Sequence, residues 1–461
     1  MPEQSLWAER AWIDGRWQSS VLFEIDAQGC WSAITPDVVT PPQHARRLAG
    51  PVLPALVDAH SHAFQRAFAG MSERRTTESD DFWSWRERMY QVALRISPEQ
   101  MRAVAAQLYV ELLRGGYTQV CEFHYLHHDS AGQAYPDPAT MCWAVADAAQ
   151  DAGIGMTLLP VLYQRAGFAQ PALRADQRRF ASTPDLVSAL ARAADTGGRA
   201  RLNAGVAIHS LRAADPQSIR DLQRQVGDRE MPIHIHISEQ TGEVDDCFAT
   251  HGSRPIAYLC QDFAPDARWQ LVHATHASER EIDAVARCGA GIVICPATEA
   301  NLGDGLSDLS AWLRADVPMA IGSDSHVVRN WPEELRWLEY GQRLALRKRN
   351  VAAAPGRQNA TAARLFDAAL LAGGQAAGHT RWGLVVGARA DALVLDVQAP
   401  GQRGVPHEYQ LDALVFAAGE PALKEVLVAG QVAMRDGRHA NEQAIASRFE
   451  AAMADLWRVN H

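Results

Sequence analysis

An alternation of short apolar segments with longer helical segments across residues 52–322 constrains the fold more than any other feature. The intervening stretches are rich in Ala and Arg, and several begin with Pro, which is favoured in the first turn of a helix. Eight strand–helix units in about 270 residues favour a closed parallel barrel, with an open doubly wound sheet as the alternative. The predicted strands are Val52–Asp58, Thr118–Phe123, Met156–Leu162, Asn203–Ile208, Ile233–Ile237, Gln270–Ala274, Gly291–Cys295 and Pro318–Gly322, and the predicted helices include Pro98–Arg114, Pro138–Ala152, Pro184–Ala194, Pro216–Val226 and Glu279–Cys288.

Both chain ends have a different pattern from the middle. Ala11–Trp17 and Leu22–Asp26 near the start, and Asp391–Asp396 and Val426–Gly430 near the end, are typical of short strands separated by turns. We therefore predict an α/β fold, a (β/α)8 TIM-like barrel with a small β-sandwich domain built from both chain ends. The predicted division is 1–53 and 384–461 for the small domain, including a terminal helix, and 54–383 for the barrel.

Composition and charge limit the binding partners and the cellular compartment that we expect for this chain. The chain has 461 residues and a net charge of −10, which argues against nucleic acid or an anionic membrane as the main partner. The first residues, Met1 to Trp12, lack the apolar core of a signal peptide, and no run of 18 apolar residues predicts a spanning helix. Seven cysteines without paired spacing do not suggest a disulfide framework, so we expect a cytoplasmic protein with reduced thiols.

A His-x-His pair, His60 and His62, follows the first predicted strand. Residues two apart in an extended chain point to the same face, so the pair can offer two imidazoles to one Zn²⁺ or Fe²⁺ ion. The alternative is two hydrogen-bonded histidines in a loop. The pair alone does not decide between these interpretations.

Other strand ends carry matching polar groups. His236 ends the fifth predicted strand and Asp324 follows the eighth. The carboxyl ends of barrel strands form one ring, where active sites are built, so distant residues can converge there. We predict one divalent metal ion, zinc or alternatively iron, held by His60, His62, His236 and Asp324. His234 shares the face of His236 but lies deeper, which favours a structural role, and His276 and His326 remain unassigned.

Glu239 and His273 are candidates for proton transfer. A carboxyl group beside an activated water can shuttle protons, and His273 at the end of the sixth strand can act as acid or base. The alternatives are a first-turn Glu on the next helix and a satisfied core histidine. The sequence contains only two lysines, Lys348 and Lys424, and neither lies on a predicted strand, so a metal pair bridged by a carboxylated lysine is excluded.

These motifs resemble the amidohydrolase superfamily, and most of all its mononuclear deaminase branch. The resemblance covers nearly the whole chain and implies a single-metal hydrolase in which Asp324 also accepts a proton. The motifs that carry it are Val57–His62, His236–Glu239, Val272–Ala274, Pro296–Gly303, Gly322–Ser325 and Gly387–Val394.

Within that branch, local signatures resemble the formiminoglutamate deiminase family. The signatures are His62–Ala67, Asp81–Glu87, Glu122–His128 and His209–Arg212. The resemblance implies hydrolysis of N-formimino-L-glutamate to N-formyl-L-glutamate and ammonia in histidine degradation, by a homodimer. It also implies substrate binding by Gln65, Arg86, Tyr125, His209 and Arg212.

The chemistry of the substrate agrees with this assignment, because two carboxylates suit two arginine side chains. Without the resemblance, Arg86 could be a surface arginine and Arg212 could pair with Asp215. Trp83 and Trp85 could cover the site as a lid or simply pack their loop. Two other functions remain open: a deaminase of the same branch acting on guanine, an adenosine-type nucleoside or a triazine, and a catalytically silent binding barrel.

Overall fold

The computed structural model describes residues 4–74, 82–419 and 422–458, without the side chains of 82–84. Its centre is a nearly closed barrel of parallel strands, as predicted. The barrel strands, one to eight in chain order, are Leu56–Ser61, Tyr117–His124, Gly155–Leu162, Val206–Ser210, Ile233–Ile237, Trp269–His273, Gly291–Ile294 and Met319–Ile321, with the short strand Leu202–Ala204 preceding the fourth.

Helices between the strands cover the outside of the barrel, and several begin with Pro in the first turn, as predicted. Ser97 forms a capping box with Gln100 ahead of Pro98–Arg114, and the Asp215 carboxylate caps Pro216–Val226. The α-helices are Phe82–Ala93, Pro98–Arg114, Thr140–Ala152, Pro184–Thr196, Pro216–Val226, Thr241–His251, Pro255–Asp262, Glu279–Cys288, Pro296–Leu302, Leu309–Arg314, Trp331–Leu346, Thr361–Ala376, Gln410–Phe416 and Glu442–Leu456, and shorter 3₁₀ turns are Ala63–Ala67, Ala175–Phe180 and His407–Tyr409.

A second sheet is built from both chain ends, as the patterns at the termini predict. Its two halves join where Val52–Pro54 pairs antiparallel with Ala392–Leu395, and its core contains Phe23, Trp31 and Leu427. The predicted division at residue 53 therefore falls within a strand of this sheet, and it remains a prediction. The strands are Gln4–Ile13, Arg16–Ile25, Trp31–Thr35, Arg46–Arg47, Val52–Pro54, Ala392–Leu395, Leu423–Val428, Gln431–Arg435 and Arg438–His439.

Two predicted barrel strands differ from the observed ones in their continuity. Val52–Asp58 is one apolar run, but Val52–Pro54 belongs to the small sheet and the barrel strand begins at Leu56. The predicted strand Asn203–Ile208 is interrupted at Gly205, where a Cβ atom would lie 2.5 Å from the Pro232 carbonyl oxygen. Only glycine permits this close approach between neighbouring strands.

The small domain supports the end of the barrel opposite the polar strand ends. Arg389 donates hydrogen bonds to Gln119 Oε1 and to the Thr118 carbonyl at the start of the second barrel strand. The indole of Trp382 donates to the Ala55 carbonyl just before the first strand. Within the described residues, no helix combines the length and apolar character needed to cross a membrane.

Candidate active site

Four predicted ligands from the first, fifth and eighth strand ends lie together in the barrel. Nε2 of His60 is 3.6 Å and Nε2 of His62 is 3.5 Å from Asp324 Oδ1. Nε2 of His236 is 3.0 Å from Nε2 of His60. All four side chains are buried, so the three imidazoles and the carboxylate are shielded from water. That donor set fits a divalent cation such as Zn²⁺.

Main-chain carbonyls determine the tautomers of two of these histidines. Nδ1 of His62 donates to the Phe123 carbonyl at 2.9 Å, and Nδ1 of His236 donates to the His209 carbonyl at 2.9 Å. Because a carbonyl oxygen only accepts, each Nδ1 must carry the proton. The neutral rings therefore direct the lone pair of Nε2 into the cluster, as metal binding requires.

Closure of the barrel places Asp324. Its backbone N–H donates to the His60 carbonyl at 2.9 Å, and Ser61 and Asp324 form a parallel β-bridge. The neighbouring Ser323 donates both its N–H and its hydroxyl to the buried Asp58 carboxylate. The contacts that join the eighth strand to the first are thus the same contacts that bring the carboxylate to the histidine pair.

Beside the cluster, His273 faces two carboxylates. Nε2 of His273 is 3.9 Å from Asp324 Oδ2 and 4.0 Å from Glu239 Oε1. Glu239 is held by its own backbone N–H, which donates to Glu243 Oε2 at 3.2 Å. The three predicted proton-transfer groups therefore adjoin one another next to the candidate metal ligands.

A pocket with a cavity volume of about 60 Å³ opens onto these groups. Most predicted site residues line it, and His60 lies behind His236. The lining residues are His62, Gln65, Trp85, Arg86, Met89, Tyr90, Tyr125, Tyr163, Phe180, His209, Arg212, His236, Glu239, His273, Leu302 and Asp324. The mixture of aromatic and polar groups that line it is typical of a small-molecule site.

Arg86 and Arg212 do not lie where the alternative interpretations place them, on the surface and paired with Asp215. Arg86 lies on the helix Phe82–Ala93, is 7% exposed, and donates to the Tyr90 hydroxyl at 2.8 and 3.1 Å. It is therefore a pocket residue and not a surface arginine. The Asp215 carboxylate pairs with Arg165, while Arg212 lines the pocket.

The remaining predicted substrate residues form a polar and aromatic wall. Nε2 of Gln65 donates to the Tyr125 hydroxyl at 3.4 Å, while Gln65 Oε1 is buried without a hydrogen-bond partner in the described part of the chain. The imidazole of His209 lies 5.1 Å from that of His236 and 4.3 Å from the ring of Tyr163. A buried amide oxygen without a partner indicates a place where a ligand donor can bind.

Comparisons with known proteins identify the family. The model of the amidohydrolase family matches residues 52–433. The chain is 45% identical over 456 residues to the formimidoylglutamate deiminase of Pseudomonas aeruginosa, covering 98% of this chain and 99% of that protein. This chain belongs to the amidohydrolase family. It is also 27% identical to the 5-methylthioadenosine/S-adenosylhomocysteine deaminase of Natronomonas pharaonis, over 87% of this chain and 85% of that protein.

Solved structures confirm the amidohydrolase architecture. The crystal structure of an amidohydrolase from Brucella melitensis superposes with a TM-score of 0.93 at 40% identity, covering 99% of this chain and 100% of that chain. An adenosine deaminase from Xanthomonas campestris with bound zinc gives a TM-score of 0.81 at 21% identity, over 99% of each chain. At this low identity the second similarity shows the fold alone.

Two glutamates of this amidohydrolase site escaped the sequence analysis. Glu122 accepts hydrogen bonds from Ser61 Oγ at 2.7 Å, from the Ala63 N–H at 2.7 Å and from the Tyr109 hydroxyl at 3.1 Å. Glu299 Oε1 is 3.4 Å from Nδ1 of His273. Both lie in motifs that carry the family resemblance. The available signal for Glu122 was an acidic residue in the interior of a predicted barrel strand.

Burial dominates the electrostatics of the amidohydrolase site. It raises the pKa of Asp324 to about 7, with repulsion from Glu239 and Glu299 adding to the effect. It lowers the pKa values of His62 and His236, which keeps both rings neutral and able to bind metal. For His273, burial lowers the pKa, but Glu239, Glu299 and Asp324 outweigh it and raise the pKa to about 10.

Other singled-out side chains lie outside the cluster. Nε2 of His234 donates to the Ala376 carbonyl at 2.8 Å, which fits the predicted structural role. Nδ1 of His326 contacts Ser323 Oγ at 2.9 Å, and His276 lies at the edge of a separate surface pocket. Trp85 packs against Phe68 and lines the active-site pocket. The Trp83 side chain, which together with Trp85 was predicted either to cover the site or to pack its loop, lies outside the described residues.

Proposed function

We propose that this chain catalyses the metal-dependent hydrolytic deimination of N-formimino-L-glutamate to N-formyl-L-glutamate and ammonia. The observation that carries the proposal is a pocket lined by Arg86 and Arg212 that also contains His62, His236 and Asp324, and these three side chains belong with His60 to overlapping groups able to hold a metal ion. The 45% identity to a formimidoylglutamate deiminase over 98% of the chain supports the same reaction. The enzyme is then a hydrolase acting on the C–N bond of a linear amidine.

We further propose that His60, His62, His236 and Asp324 hold one divalent ion, with zinc as the first choice and iron as the alternative. Three histidines and one carboxylate leave a position open for water or substrate. When bound, such an ion supplies Lewis-acid chemistry and lowers the pKa of water towards neutrality. The tautomers fixed by the carbonyls of Phe123 and His209 support this assignment.

Arg86 and Arg212 serve as the carboxylate-binding residues in this proposal. A planar guanidinium group matches a carboxylate with two parallel hydrogen bonds. Gln65, Tyr125 and His209 complete the wall and orient the formimino group. The buried Oε1 of Gln65 is available to accept a hydrogen bond from a substrate N–H.

The proton transfers fall to His273, Glu239 and Asp324. The reaction adds one water at the formimino carbon and releases one ammonia. Asp324 is placed to receive the proton of the attacking water, while His273, whose Nε2 lies 3.9 Å from Asp324 Oδ2, orients that water and stabilises the charge that develops. Glu239 Oε1, 4.0 Å from the same imidazole nitrogen, delivers a proton to the departing nitrogen.

A second candidate function is a deaminase of the same branch acting on guanine, an adenosine-type nucleoside or a triazine. The relatives at 26–27% identity that carry the name 5-methylthioadenosine/S-adenosylhomocysteine deaminase favour this alternative. Arg86 and Arg212 oppose it, because a neutral ring does not need two guanidinium groups. The silent binding barrel is opposed by the complete ligand and proton-transfer set.

The deciding experiment measures ammonia release by the purified, metal-assayed enzyme from N-formimino-L-glutamate, guanine and adenosine. We expect release from formiminoglutamate alone, with about one metal per chain. Lysine at position 86 or 212 keeps the charge but loses the paired hydrogen bonds, so kcat/KM should fall about 10- to 100-fold, at roughly 1.5–3 kcal/mol per charged bond. Arg165→Lys, outside the pocket, is the matched control. Release from guanine or adenosine instead would overturn the substrate assignment.

The cellular context is also part of the proposal. We place the reaction in histidine degradation, in the cytoplasm, and we propose a homodimer acting on a small dicarboxylate without nucleic acid or membrane partners. Seven free cysteines support a reducing compartment. Light scattering of the purified protein tests the dimer, and a monomeric mass would remove it from the proposal.

A further inference from the structure

We propose that Glu299 is a positioning residue that fixes the ring orientation and the tautomer of His273. The inference deepens the proposed function, because it concerns the histidine to which that function assigns a proton transfer. It starts from one contact, the 3.4 Å distance between Glu299 Oε1 and His273 Nδ1. Glu299 lies behind the imidazole and does not line the pocket.

The hydrogen bonds of Glu299 decide which partner donates. Its Oε1 atom also accepts the Cys295 backbone N–H at 3.0 Å, so this oxygen is an acceptor. The proton between Glu299 and His273 therefore belongs to Nδ1 of the imidazole. Nε2 is then the ring atom directed at Glu239 and Asp324, and it is free to accept or release the catalytic proton.

The backbone of His273 explains why an external support is needed. His273 has φ of +69° and Ala274 has φ of +48°, which lie in the left-handed region that side-chain-bearing residues rarely adopt. The strand pleat ends at this point, so it no longer determines where the imidazole points. The Glu299 carboxylate behind the ring fixes the orientation of the imidazole instead.

The short helix Pro296–Leu302 gives Glu299 its own fixed position. Thr298 Oγ1 lies 2.9 Å from Ser325 Oγ and accepts the Ser325 N–H at 3.2 Å. The Ala297 N–H donates to the buried Glu334 carboxylate at 3.0 Å. Because Ser325 follows Asp324, the helix Pro296–Leu302 fixes both Glu299, which supports His273, and the loop that carries the Asp324 carboxylate.

The test compares Glu299→Ala with Glu299→Gln. An amide oxygen can still accept from Nδ1, so the glutamine variant should preserve the tautomer while the alanine variant loses it. Nitrogen NMR of the zinc-loaded protein labelled with ¹⁵N-histidine reports directly which ring nitrogen of His273 carries the proton. Its signal is assigned by comparison with His273→Ala.

Kinetics supply the second readout. Glu299→Ala should lower kcat about 10- to 100-fold, as for other residues that orient a catalytic group, with KM for formiminoglutamate within about twofold. Glu299→Gln should recover most of kcat, which a purely structural carboxylate contact would not predict. Glu334→Gln is the matched control, since it alters a buried carboxylate that binds the helix Pro296–Leu302 through the Ala297 N–H without touching His273. Metal content should remain that of the unmodified protein in all three variants.

An unchanged His273 tautomer in Glu299→Ala would overturn the inference, as would unchanged kcat. If the alanine variant does not fold, Glu299→Leu fills the same volume and is measured in the same way. The NMR readout does not depend on the substrate. A lost tautomer in an enzyme that does not hydrolyse formiminoglutamate would therefore refute the proposed function and leave the positioning role standing.

Discussion

Phe123 and His209 each present a backbone carbonyl to the Nδ1 proton of a neighbouring imidazole. Two buried histidines outside the cluster show the reverse arrangement. Nε2 of His127 bonds the Val161 carbonyl, and Nε2 of His234 bonds the Ala376 carbonyl. The ring nitrogen that bonds the carbonyl thus decides whether Nε2 can bind metal or is already hydrogen-bonded.

Alanine substitutions at His60 and His273 should separate metal binding from proton transfer. His60→Ala removes a proposed ligand, so both the metal and turnover should be lost. His273→Ala removes a general acid or base, so turnover should fall about 10²- to 10⁴-fold while about one metal per chain remains. Elemental analysis of purified protein and ammonia release measure the two effects.

The half-exposed His128 provides the control for this pair, since His128→Ala removes an imidazole outside the pocket. Full metal content in His60→Ala would contradict the ligand assignment. Near-normal turnover in His273→Ala would contradict the proton-transfer role and with it the function argued for Glu299.

At the scale of single elements, the first barrel strand carries the histidine pair, but the second strand holds it in place. Glu122 binds Ser61 and Ala63, the two residues that flank His62, and Tyr109 donates to the same carboxylate. Burial raises the pKa of Glu122 to about 8, with the three hydrogen bonds opposing the shift. This one side chain joins two strands and a helix beneath the metal ligands.

Loss of the Glu122 carboxylate should weaken metal binding as well as the fold. Glu122→Ala leaves three buried donors unsatisfied, which should lower the free energy of unfolding by roughly 2–4 kcal/mol. Metal affinity should fall about 10- to 100-fold, because the segment that carries His60 and His62 loses its support. Denaturant titration and competition with a zinc chelator measure the two changes.

Glu281→Ala is the matched control for this element. The Glu281 carboxylate is also buried and accepts from Ser278 and Arg254, but it supports two outer helices far along the chain from the ligands. A comparable loss of stability with unchanged metal affinity is expected. An equal loss of metal affinity in both variants would show that general destabilisation, not support of the first strand, explains the Glu122 result.

The secondary-structure elements also show which parts of the fold and the site the sequence patterns predict and which they do not. The order of strands and helices and the polar strand ends were predictable, because each strand is a distinct run of largely apolar residues and several of these runs end in His or Asp. The boundary between Val52–Pro54 and Leu56–Ser61 was not, since both pieces are equally apolar and only the sheet partners differ. The roles of Glu122 and Glu299 were hidden for a similar reason: their partners, Ser61 and His273, come from other strands.

Across the whole molecule, burial shifts two groups of titratable side chains in opposite directions. Burial raises the pKa of several carboxyl groups to about 7 or 8, with hydrogen bonds or nearby charges modifying each shift: Asp58, Glu122, Glu243, Asp304 and Asp324. Burial lowers the pKa of many histidines. The lowered pKa is about 3 or 4 for His62, His124, His127, His234 and His379, and the pKa lies well below its usual value for His60, His209, His236 and His326.

The two groups have opposite effects on stability. A carboxyl group with a raised folded-state pKa binds a proton in the native state that the unfolded chain has released, so its contribution is lost as pH rises towards 7 or 8. A histidine with a lowered pKa stays neutral in the native state, while the same histidine in the unfolded chain gains a proton below its ordinary pKa of 6.5. Its contribution is present above 6.5 and is lost as pH falls.

The metal-free protein should therefore be most stable near pH 6.5. Below that value the histidines with a lowered pKa destabilise the native state. Between about 6.5 and 8 the carboxyl groups lose their stabilising contribution, and His273, whose pKa is raised to about 10, loses part of its own, so the thermal unfolding midpoint should fall. A bound zinc ion keeps Asp324 ionised and its histidine ligands neutral, which should move the maximum to higher pH. Glu122→Gln removes one titrating carboxyl group and should flatten the decline above 6.5. Thermal unfolding of chelator-treated and zinc-loaded protein from pH 5 to 9 measures both effects, and a metal-free midpoint that rises steadily from 6.5 to 8 would refute this assignment of the buried carboxyl groups.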